Sequence, residues 1–210
     1  MTFDKTSAFE NILAKIISVV FHPLLIPLYG LLIIFLAPTI LEYLPLAYKK
    51  TLLLVVLINN VMIPLSLMPY FKYRNIISSW FVIDRKERII PLITTSFFYF
   101  ITLYITLTFK ISVFINAFIL TLAILSGIIT IINFWFKISI HSVGAGALLA
   151  LVIALSLKSH VPLTLILIIV ILIAGLILSS RLWLNSHTPK EVWFGFILGV
   201  FVSGLLLFLF

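Results

Sequence analysis

The residues best suited to chemistry lie in one short segment, SRLWLNSHTPKEVWFG, which covers 180–195 between two long apolar runs. It holds Arg181, His187 and Glu191 in a chain that has only four His and six acidic residues. A carboxylate beside a histidine holds the imidazole in one tautomer and makes it a better nucleophile. An arginine presents a planar fork of N–H donors that matches phosphate oxygens. This combination favours chemistry on a phosphate group.

The residues Thr188-Pro189-Lys190-Glu191 also fit a capping box, in which Thr is the N-cap, Pro the first helical residue and Glu the third. On this interpretation the carboxylate of Glu191 only caps the last helix. A helix that begins here would also direct its free N–H groups at an anion near His187. The sequence leaves both roles of Glu191 open.

Two other segments concentrate polar residues, Asp84-Arg85-Lys86-Glu87-Arg88 and the stretch from Lys137 to Gly146. We call 84–88, 137–146 and 180–191 the first, second and third polar segments. The second contains His141, which can act as a general acid if another histidine attacks phosphorus. The cations of the first can stabilise the charge of a transferring phosphoryl group. If a helix began at Asp84, that residue would pair with Arg88, and Arg85 would share a face with Arg88.

Each of these features has a structural interpretation as well. A cluster of charges at the start of a span is often an interfacial anchor, and a single His is often only hydrogen-bonded at the interface. Gly144 and Gly146 are typical of close helix packing, and so are Gly195 and Gly199. The Gly195/Gly199 face would serve a contact inside the monomer or a homodimer.

The composition requires a lipid environment. The chain is 63% hydrophobic and 10% charged, with a mean hydropathy of +1.33, whereas a soluble domain of this length is about half apolar and a quarter charged. We therefore predict an all-α, polytopic membrane helix bundle that forms a single domain over 1–210. Since the chain has no Cys, disulfides and thiolate chemistry are excluded. No basic stripe or module typical of nucleic-acid binding is present, and we expect no nucleic-acid partner and no metal or cofactor.

The apolar pattern predicts six core transmembrane helices preceded by a kinked or oblique apolar segment. That segment runs from about 17 to 36, follows an amphipathic lead-in at about 5–18, and is interrupted by His22-Pro23 and Pro27. The core spans are expected at about 51–71, 89–109, 112–136, up to 157, up to 179, and after the third polar segment to the C-terminus. Two spans separate each polar segment from the next, so all three must lie on one membrane face. The turns on the other face, at 110–111 and 158–162, carry no carboxylate.

The third polar segment resembles a signature of the type 2 phosphatidic acid phosphatase superfamily. That signature is Ser-Arg, five residues, His, three residues, Asp, and here Ser180-Arg181 is followed by His187 and Glu191 at the same spacing. Ile138-Ser139-Ile140-His141 resembles the second signature, Pro-Ser-Gly-His. The first signature is Lys, six residues, Arg-Pro. DRKERIIP stands where this signature is expected, but no Lys lies at the required spacing before an Arg-Pro. The resemblance covers about 50–210. Glu191 replaces the Asp of the third signature, and Ile138 and Ile140 replace the Pro and Gly of the second.

The resemblance implies a metal-independent phosphatase of lipid phosphates on six membrane helices. His187 would be the nucleophile that forms a phospho-histidine, Glu191 would orient it, and His141 would be the general acid. The implied phosphate-binding residues are Arg181 and Ser139, together with Arg85, Lys86 and Arg88 as a group. Substrates of this kind are polyprenyl diphosphates, phosphatidate, phosphatidylglycerol phosphate and lipid A phosphates, which the pocket residues do not distinguish.

Two other functions stay open on the sequence. A transporter would place polar residues at mid-span, and Asn59, Asn60 and Asn133 are candidates. A catalytically silent lipid-binding protein would keep the fold without the reaction. We expect a bacterial cytoplasmic membrane. The net charge of +8 does not orient the chain, because most of the excess lies in the polar segments themselves. The resemblance favours a site on the outer face.

Overall fold

The computed structural model describes residues 5–80, 82, 84–109 and 112–210, and of residues 5–8 only the backbone. Every regular element in these ranges is helical. The α-helices are α1 Lys5–Val20, α2 Ile26–Leu36, α3 Leu46–Val56, α4 Ile63–Tyr73, α5 Ile89–Thr108, α6 Val113–Ile132, α7 Ile140–Ser159, α8 Thr164–Trp183 and α9 Pro189–Leu209. The segments Pro23–Leu25 and Ile40–Tyr43 are 3-10 helices, and Leu57–Met62 is a π-helix.

Seven segments in the described part of the chain are long and apolar enough to cross a membrane: Phe9–Leu36, Leu46–Tyr73, Ile89–Thr108, Val113–Ile132, Ile140–Ser159, Thr164–Trp183 and Pro189–Leu209. The protein is thus an all-α, polytopic membrane helix bundle, as predicted. The fourth span ends at Ile132 rather than near 136, because the aromatic residues 134–136 prolong the apolar pattern beyond the end of the helix. The turn expected at 110–111 lies outside the described residues.

The first span is broken at His22-Pro23, which confirms the predicted kink. His22 is extended, with φ −62° and ψ 138°, as the residue before a proline prefers. The lead-in is not a separate element, however. It continues without interruption into the apolar run as α1, which ends only at Val20.

The second span contains the π-helix, and Asn60 lies in it. Asn60 is 1% exposed, and its Oδ1 accepts a hydrogen bond from Thr102 Oγ1 in α5 at 2.5 Å. A polar side chain inside an apolar bundle is normally paired in this way. The hydrogen bond accounts for Asn60 as a contact between two helices.

α7 and α9 pack with their backbones in contact through glycines. A Cβ atom on Gly146 would clash with the carbonyl oxygen of Phe196, and one on Gly199 would clash with the carbonyl oxygen of Val143. A Cβ on Gly195 would lie 2.7 Å from a backbone oxygen of the second polar segment. The Gly195/Gly199 face is therefore buried against α7 within the chain and is not exposed to a second copy.

This packing brings the polar segments to one end of the bundle. The backbone N–H of Ser139 donates to the carbonyl of Glu191 at 3.3 Å, and Lys137 Nζ donates to the carbonyl of Ser186 at 3.1 Å. Arg85 Nη1 donates to the carbonyl of Phe134, which joins the first segment to the end of α6. The shared face expected from the count of spans is confirmed.

We predict opposite effects of alanine at two glycines of α9. Gly199→Ala forces α9 away from the α7 backbone and should lower the stability by about 1–3 kcal/mol. Gly204→Ala is the matched control, since no atom lies within 4 Å of the added Cβ. It should raise the stability by up to about 1 kcal/mol because helical glycine costs more backbone entropy than alanine. Thermal unfolding in detergent, followed by Trp fluorescence, measures both. An unchanged midpoint for Gly199→Ala would show that the contact is loose.

Candidate active site

The third polar segment forms the turn between α8 and α9. α8 ends with hydrogen bonds from the N–H of Leu184 to the Ser180 carbonyl and from the N–H of Ser186 to the Arg181 carbonyl. Asn185 then reverses the chain with a φ of 49°. Arg181 thus occupies the last turn of one helix, and the next residues lead directly into the start of the other.

The start of α9 holds the first half of a capping box. Thr188 Oγ1 accepts the N–H of Glu191 at 3.4 Å, and Pro189 is the first helical residue. The carboxylate of Glu191 does not complete the box. It receives a hydrogen bond from His187 Nδ1 at 2.6 Å instead. Of the two roles that the sequence left open for Glu191, the structure favours orientation of the histidine.

The His187–Glu191 pair leaves His187 Nε2 with the lone pair. A carboxylate accepts hydrogen bonds, so Nδ1 carries the proton. Burial lowers the pKa of His187 to about 3, and the nearby charges of Arg88, Arg181 and Lys137 act in the same direction. His187 is therefore a neutral imidazole at neutral pH. A neutral imidazole oriented by a carboxylate is the form that can act as a nucleophile.

His141 lies in the first turn of α7, which is capped by Ser139. Its Nε2 lies 3.1 Å from the carbonyl oxygen of Ser18 at the end of α1. The ring of His22 packs edge-on against it, with the ring centroids 5.7 Å apart. Both of these histidines and His187 line one cavity. Three of the four His in the chain thus meet at this end of the bundle.

Two of the expected cations line the same cavity. Arg181 Nη1 donates to Ser18 Oγ at 3.0 Å, and its buried Nε has no hydrogen-bond partner among the described residues. Arg88 immediately precedes α5, and its Nε donates to the carbonyl of Val82 at 2.8 Å. Burial lowers the pKa of Arg88, an effect that Glu191 and Asp84 oppose. The free donors of these guanidinium groups suit an anion.

The structure does not bring the other predicted phosphate-binding residues to the cavity. The Arg85 guanidinium binds backbone carbonyls at the end of α6, and Lys86 is exposed. Ser139 is fully buried, where its Oγ accepts hydrogen bonds from Ser142. Asp84 accepts the N–H of Lys86 and forms no ion pair with Arg88 in the described structure. The helix begins only at Ile89, so the expected spacing of charges on one helical face does not arise.

The cavity itself has a charged end and an apolar interior. Its volume is about 730 Å³. The charged end is formed by Lys15, Arg88 and Arg181 with the three histidines, and none of the described residues that line the cavity is acidic. The interior continues between α4, α5, α6 and α7 along apolar side chains that include Met68, Leu92, Tyr99, Leu122 and Val143. This shape fits an anion attached to an apolar chain.

A smaller cavity of about 410 Å³ shares Asn185, Ser186 and His187 with the larger one. Polar and charged side chains such as Lys137 and Glu191 line it together with the apolar Leu182 and Pro189. Burial, followed by the charge of Arg88, lowers the pKa of Lys137. His187 therefore lines both cavities.

Sequence reasoning missed the contribution of the first span. Ser18, His22 and Lys15 all line the larger cavity, although they lie outside the region of motif resemblance. His22 gave one signal in the sequence, because an ionisable residue within an apolar span usually has a function. Ser18 carries no comparable signal in the sequence.

Asn133, one of the mid-span candidates for a transport path, has a structural partner. Its Nδ2 donates to the carbonyl of Arg85 at 3.0 Å. Neither Asn133 nor Asn60 lines the larger cavity. Asn133 therefore joins the end of α6 to the first polar segment, and Asn60 joins the second span to α5.

Comparison with known proteins found no family model, curated protein or solved structure that matches this chain.

The electrostatics of His187 can be tested by titration. We expect His187 to stay neutral down to about pH 4, since its pKa is about 3. Lys137→Met removes a cation that disfavours the imidazolium and should raise the pKa of His187. Lys190→Met is the control, since Lys190 is exposed. Histidine NMR titration in micelles measures both, with His187→Ala for assignment. A wild-type His187 that titrates near its ordinary value of about 6.5 would contradict this description of the site.

Proposed function

We propose that the protein is a membrane phosphatase that hydrolyses a lipid phosphate or diphosphate through a phospho-histidine on His187, without a metal. One observation carries the proposal. A histidine held by a carboxylate at 2.6 Å faces a cavity with cations and no lining acid at one end, and apolar walls at the other. Each part of a lipid phosphate has a matching surface in this arrangement.

In the first step, the Nε2 lone pair of His187 forms a bond to phosphorus while the bond between phosphorus and the lipid oxygen breaks. Glu191 stabilises the positive charge that develops on the imidazole. His141 lines the same cavity and, when protonated on both nitrogens, gives one of its protons to the leaving oxygen. The product that leaves is a lipid alcohol, or a lipid monophosphate when the substrate is a diphosphate.

In the second step, water attacks the phosphorus of the phospho-histidine and the P–N bond breaks. His141, now without its proton, accepts one from the attacking water, and inorganic phosphate is released. His187 returns to the neutral form that its environment favours. The same two histidines thus serve both steps, with no net change in protonation.

The cations supply the charge that the reaction needs. A phosphoryl group in transfer spreads its charge over three oxygens, and the cations Arg181 and Arg88 both line the cavity. Donors that are already in place when charge develops stabilise the transition state without further reorganisation. Arg181, which Ser18 holds at Nη1, is such a donor.

The apolar interior is suited to the tail of the lipid. Along α5 the cavity extends from Arg88 to Tyr99, a distance of roughly 16 Å at the helical rise per residue. This reaches about half of the roughly 30 Å hydrocarbon thickness of a bilayer. A lipid whose phosphate lies at the cations would therefore keep its chain at membrane depth.

The alternative functions are outcomes of the same assay. A transporter or a silent lipid-binding protein on this fold would bind the lipid phosphate without releasing inorganic phosphate. Of the mid-span polar residues that would favour transport, Asn60 and Asn133 have structural partners, and neither these two nor Asn59 lines the cavity.

We also propose that the protein lies in a bacterial cytoplasmic membrane with the site on its outer face. The support is the resemblance of the third polar segment, because the related enzymes often act on that face. Charge counting does not decide the placement, because Lys15, Arg88, Lys137 and Arg181 belong to the walls of the two cavities.

Purified protein in detergent should release inorganic phosphate from a lipid phosphate in the presence of EDTA, and His187→Ala should lower kcat at least about a thousandfold. His160→Asn is the matched control. His160 ends α7 at the opposite end of the bundle with a φ of 53°, a conformation that Asn tolerates, and this variant should keep full activity. The assay covers phosphatidate, phosphatidylglycerol phosphate, polyprenyl diphosphate and lipid A. No release from any of them would refute the proposed enzyme, and undiminished release by His187→Ala would refute the assigned nucleophile.

The placement can be tested with single cysteines, since the chain has none. Lys190→Cys, exposed in the first turn of α9, should react with a membrane-impermeant maleimide added to intact cells. Glu42→Cys is exposed at the opposite end, between α2 and α3, and should react only after permeabilisation. The reverse pattern would place the site in the cytoplasm.

A further inference from the structure

The end of α1 contacts two groups to which the proposed function assigns a role. The carbonyl oxygen of Ser18 lies 3.1 Å from His141 Nε2. The hydroxyl of Ser18 accepts a hydrogen bond from Arg181 Nη1 at 3.0 Å. Ser18 Oγ is also 3.4 Å from Ser180 Oγ, next to Arg181. One residue thus links the proposed general acid with a phosphate-binding cation.

The Ser18 carbonyl is available because the helix ends here. The last carbonyls of an α-helix have no partner within it. The N–H of Phe21 donates to the Ile17 carbonyl, and the N–H of His22 donates to the Val19 carbonyl. Neither of these N–H groups donates to the Ser18 carbonyl between them. The break before Pro23 therefore creates the acceptor that His141 uses.

This contact determines which nitrogen of His141 can transfer a proton. A carbonyl oxygen only accepts, so Nε2 carries a proton that stays engaged with Ser18. Nδ1 is left as the transferring nitrogen: from the imidazolium it gives its proton to the leaving oxygen, and as the neutral imidazole it accepts one from the attacking water. His22 packs against the same ring, and its own Nδ1 accepts the N–H of Leu24 at 3.3 Å.

The hydroxyl of Ser18 acts on Arg181. It holds Nη1 of a long, flexible side chain, while the Nε of the same guanidinium stays unpaired and buried among the described residues. An arginine fixed through one nitrogen presents its other donors in a defined direction, since the guanidinium is planar. Less side-chain freedom is then lost when the phosphate binds.

We propose that Ser18 is a positioning residue of the active site, and that α1 is therefore a functional part of the enzyme although it lies outside the region of motif resemblance. This inference rests on the proposed function. Ser18 presents Nδ1 of His141 through its carbonyl and orients Arg181 through its hydroxyl. It takes no part in bond formation itself.

The hydroxyl is tested by Ser18→Ala and Ser18→Thr. A hydrogen bond to a charged group is worth about tenfold in affinity or more, so Ser18→Ala should raise KM for a lipid phosphate about tenfold while kcat changes less than about threefold. Ser18→Thr retains the hydroxyl and should restore most of the affinity. Ser66→Ala is the matched control, because Ser66 is an exposed helical serine that donates only to the Ile63 carbonyl of its own helix. It should leave KM unchanged.

A binding measurement makes the test independent of turnover. A non-hydrolysable alkyl phosphonate is titrated calorimetrically into each variant, and Ser18→Ala should bind it about tenfold more weakly than the wild type or Ser66→Ala. If the wild type is active but Ser18→Ala keeps its KM and affinity, the role of Ser18 is refuted and the phosphatase stands. If the wild type binds the phosphonate but releases no phosphate, the phosphatase is refuted, and the affinity of Ser18→Ala still decides the role of Ser18. Absence of both binding and release would refute both.

The carbonyl is tested by the tautomer of His141. Nitrogen-15 histidine spectra in micelles, assigned with His141→Ala, should show neutral His141 protonated on Nε2. Protonation on Nδ1 would overturn the contact with Ser18 and the assignment of the transferring nitrogen.

Discussion

The contact between α7 and α9 determines where the reactive groups lie. Glycines on both helices let their backbones approach to a distance that any Cβ would prevent, and in lipid such close packing replaces the hydrophobic effect as the force that holds helices together. The contact continues to the helix ends, where Ser139 N–H binds the Glu191 carbonyl. The N-terminal ends of α7 and α9 are thereby aligned. His141 lies in the first turn of α7, Glu191 lies in the first turn of α9, and His187 lies just before α9.

The reactive groups occur at helix ends because the bilayer leaves few other places for them. Inside the hydrocarbon every backbone group must be paired, which helices achieve, and a charge there is costly. Helix ends supply unpaired backbone groups and access to water. Arg181 ends α8, Arg88 precedes α5, and His187 precedes α9. The apolar parts of the same helices then form the interior of the cavity, so one fold provides both an anion site and a space for a lipid chain.

The broken first span joins this arrangement through its own helix end. The proline after His22 ends α1 within reach of α7 and α8, and Ser18 contacts both. The kink is visible in the sequence, whereas the contacts that it allows Ser18 to make are visible only in the structure. Lys15 adds a third cation to the cavity, which leaves its charged end strongly positive without any contribution from Arg85 or Lys86.

The sequence by itself determined the class of fold, the number and approximate limits of the spans, the kink at His22-Pro23 and the shared face of the polar segments. These depend on composition, local periodicity and the parity of crossings, which are properties of the chain read in order. The spacing of His187 and Glu191 was compatible with their pairing, but it left the capping role of Glu191 equally open. Only the tertiary structure decided which cations reach the cavity, why Ser139 is a buried cap, and that Ser18 meets His141 and Arg181. Those outcomes depend on side-chain direction at helix ends and on contacts between residues more than 120 positions apart, which no local pattern encodes.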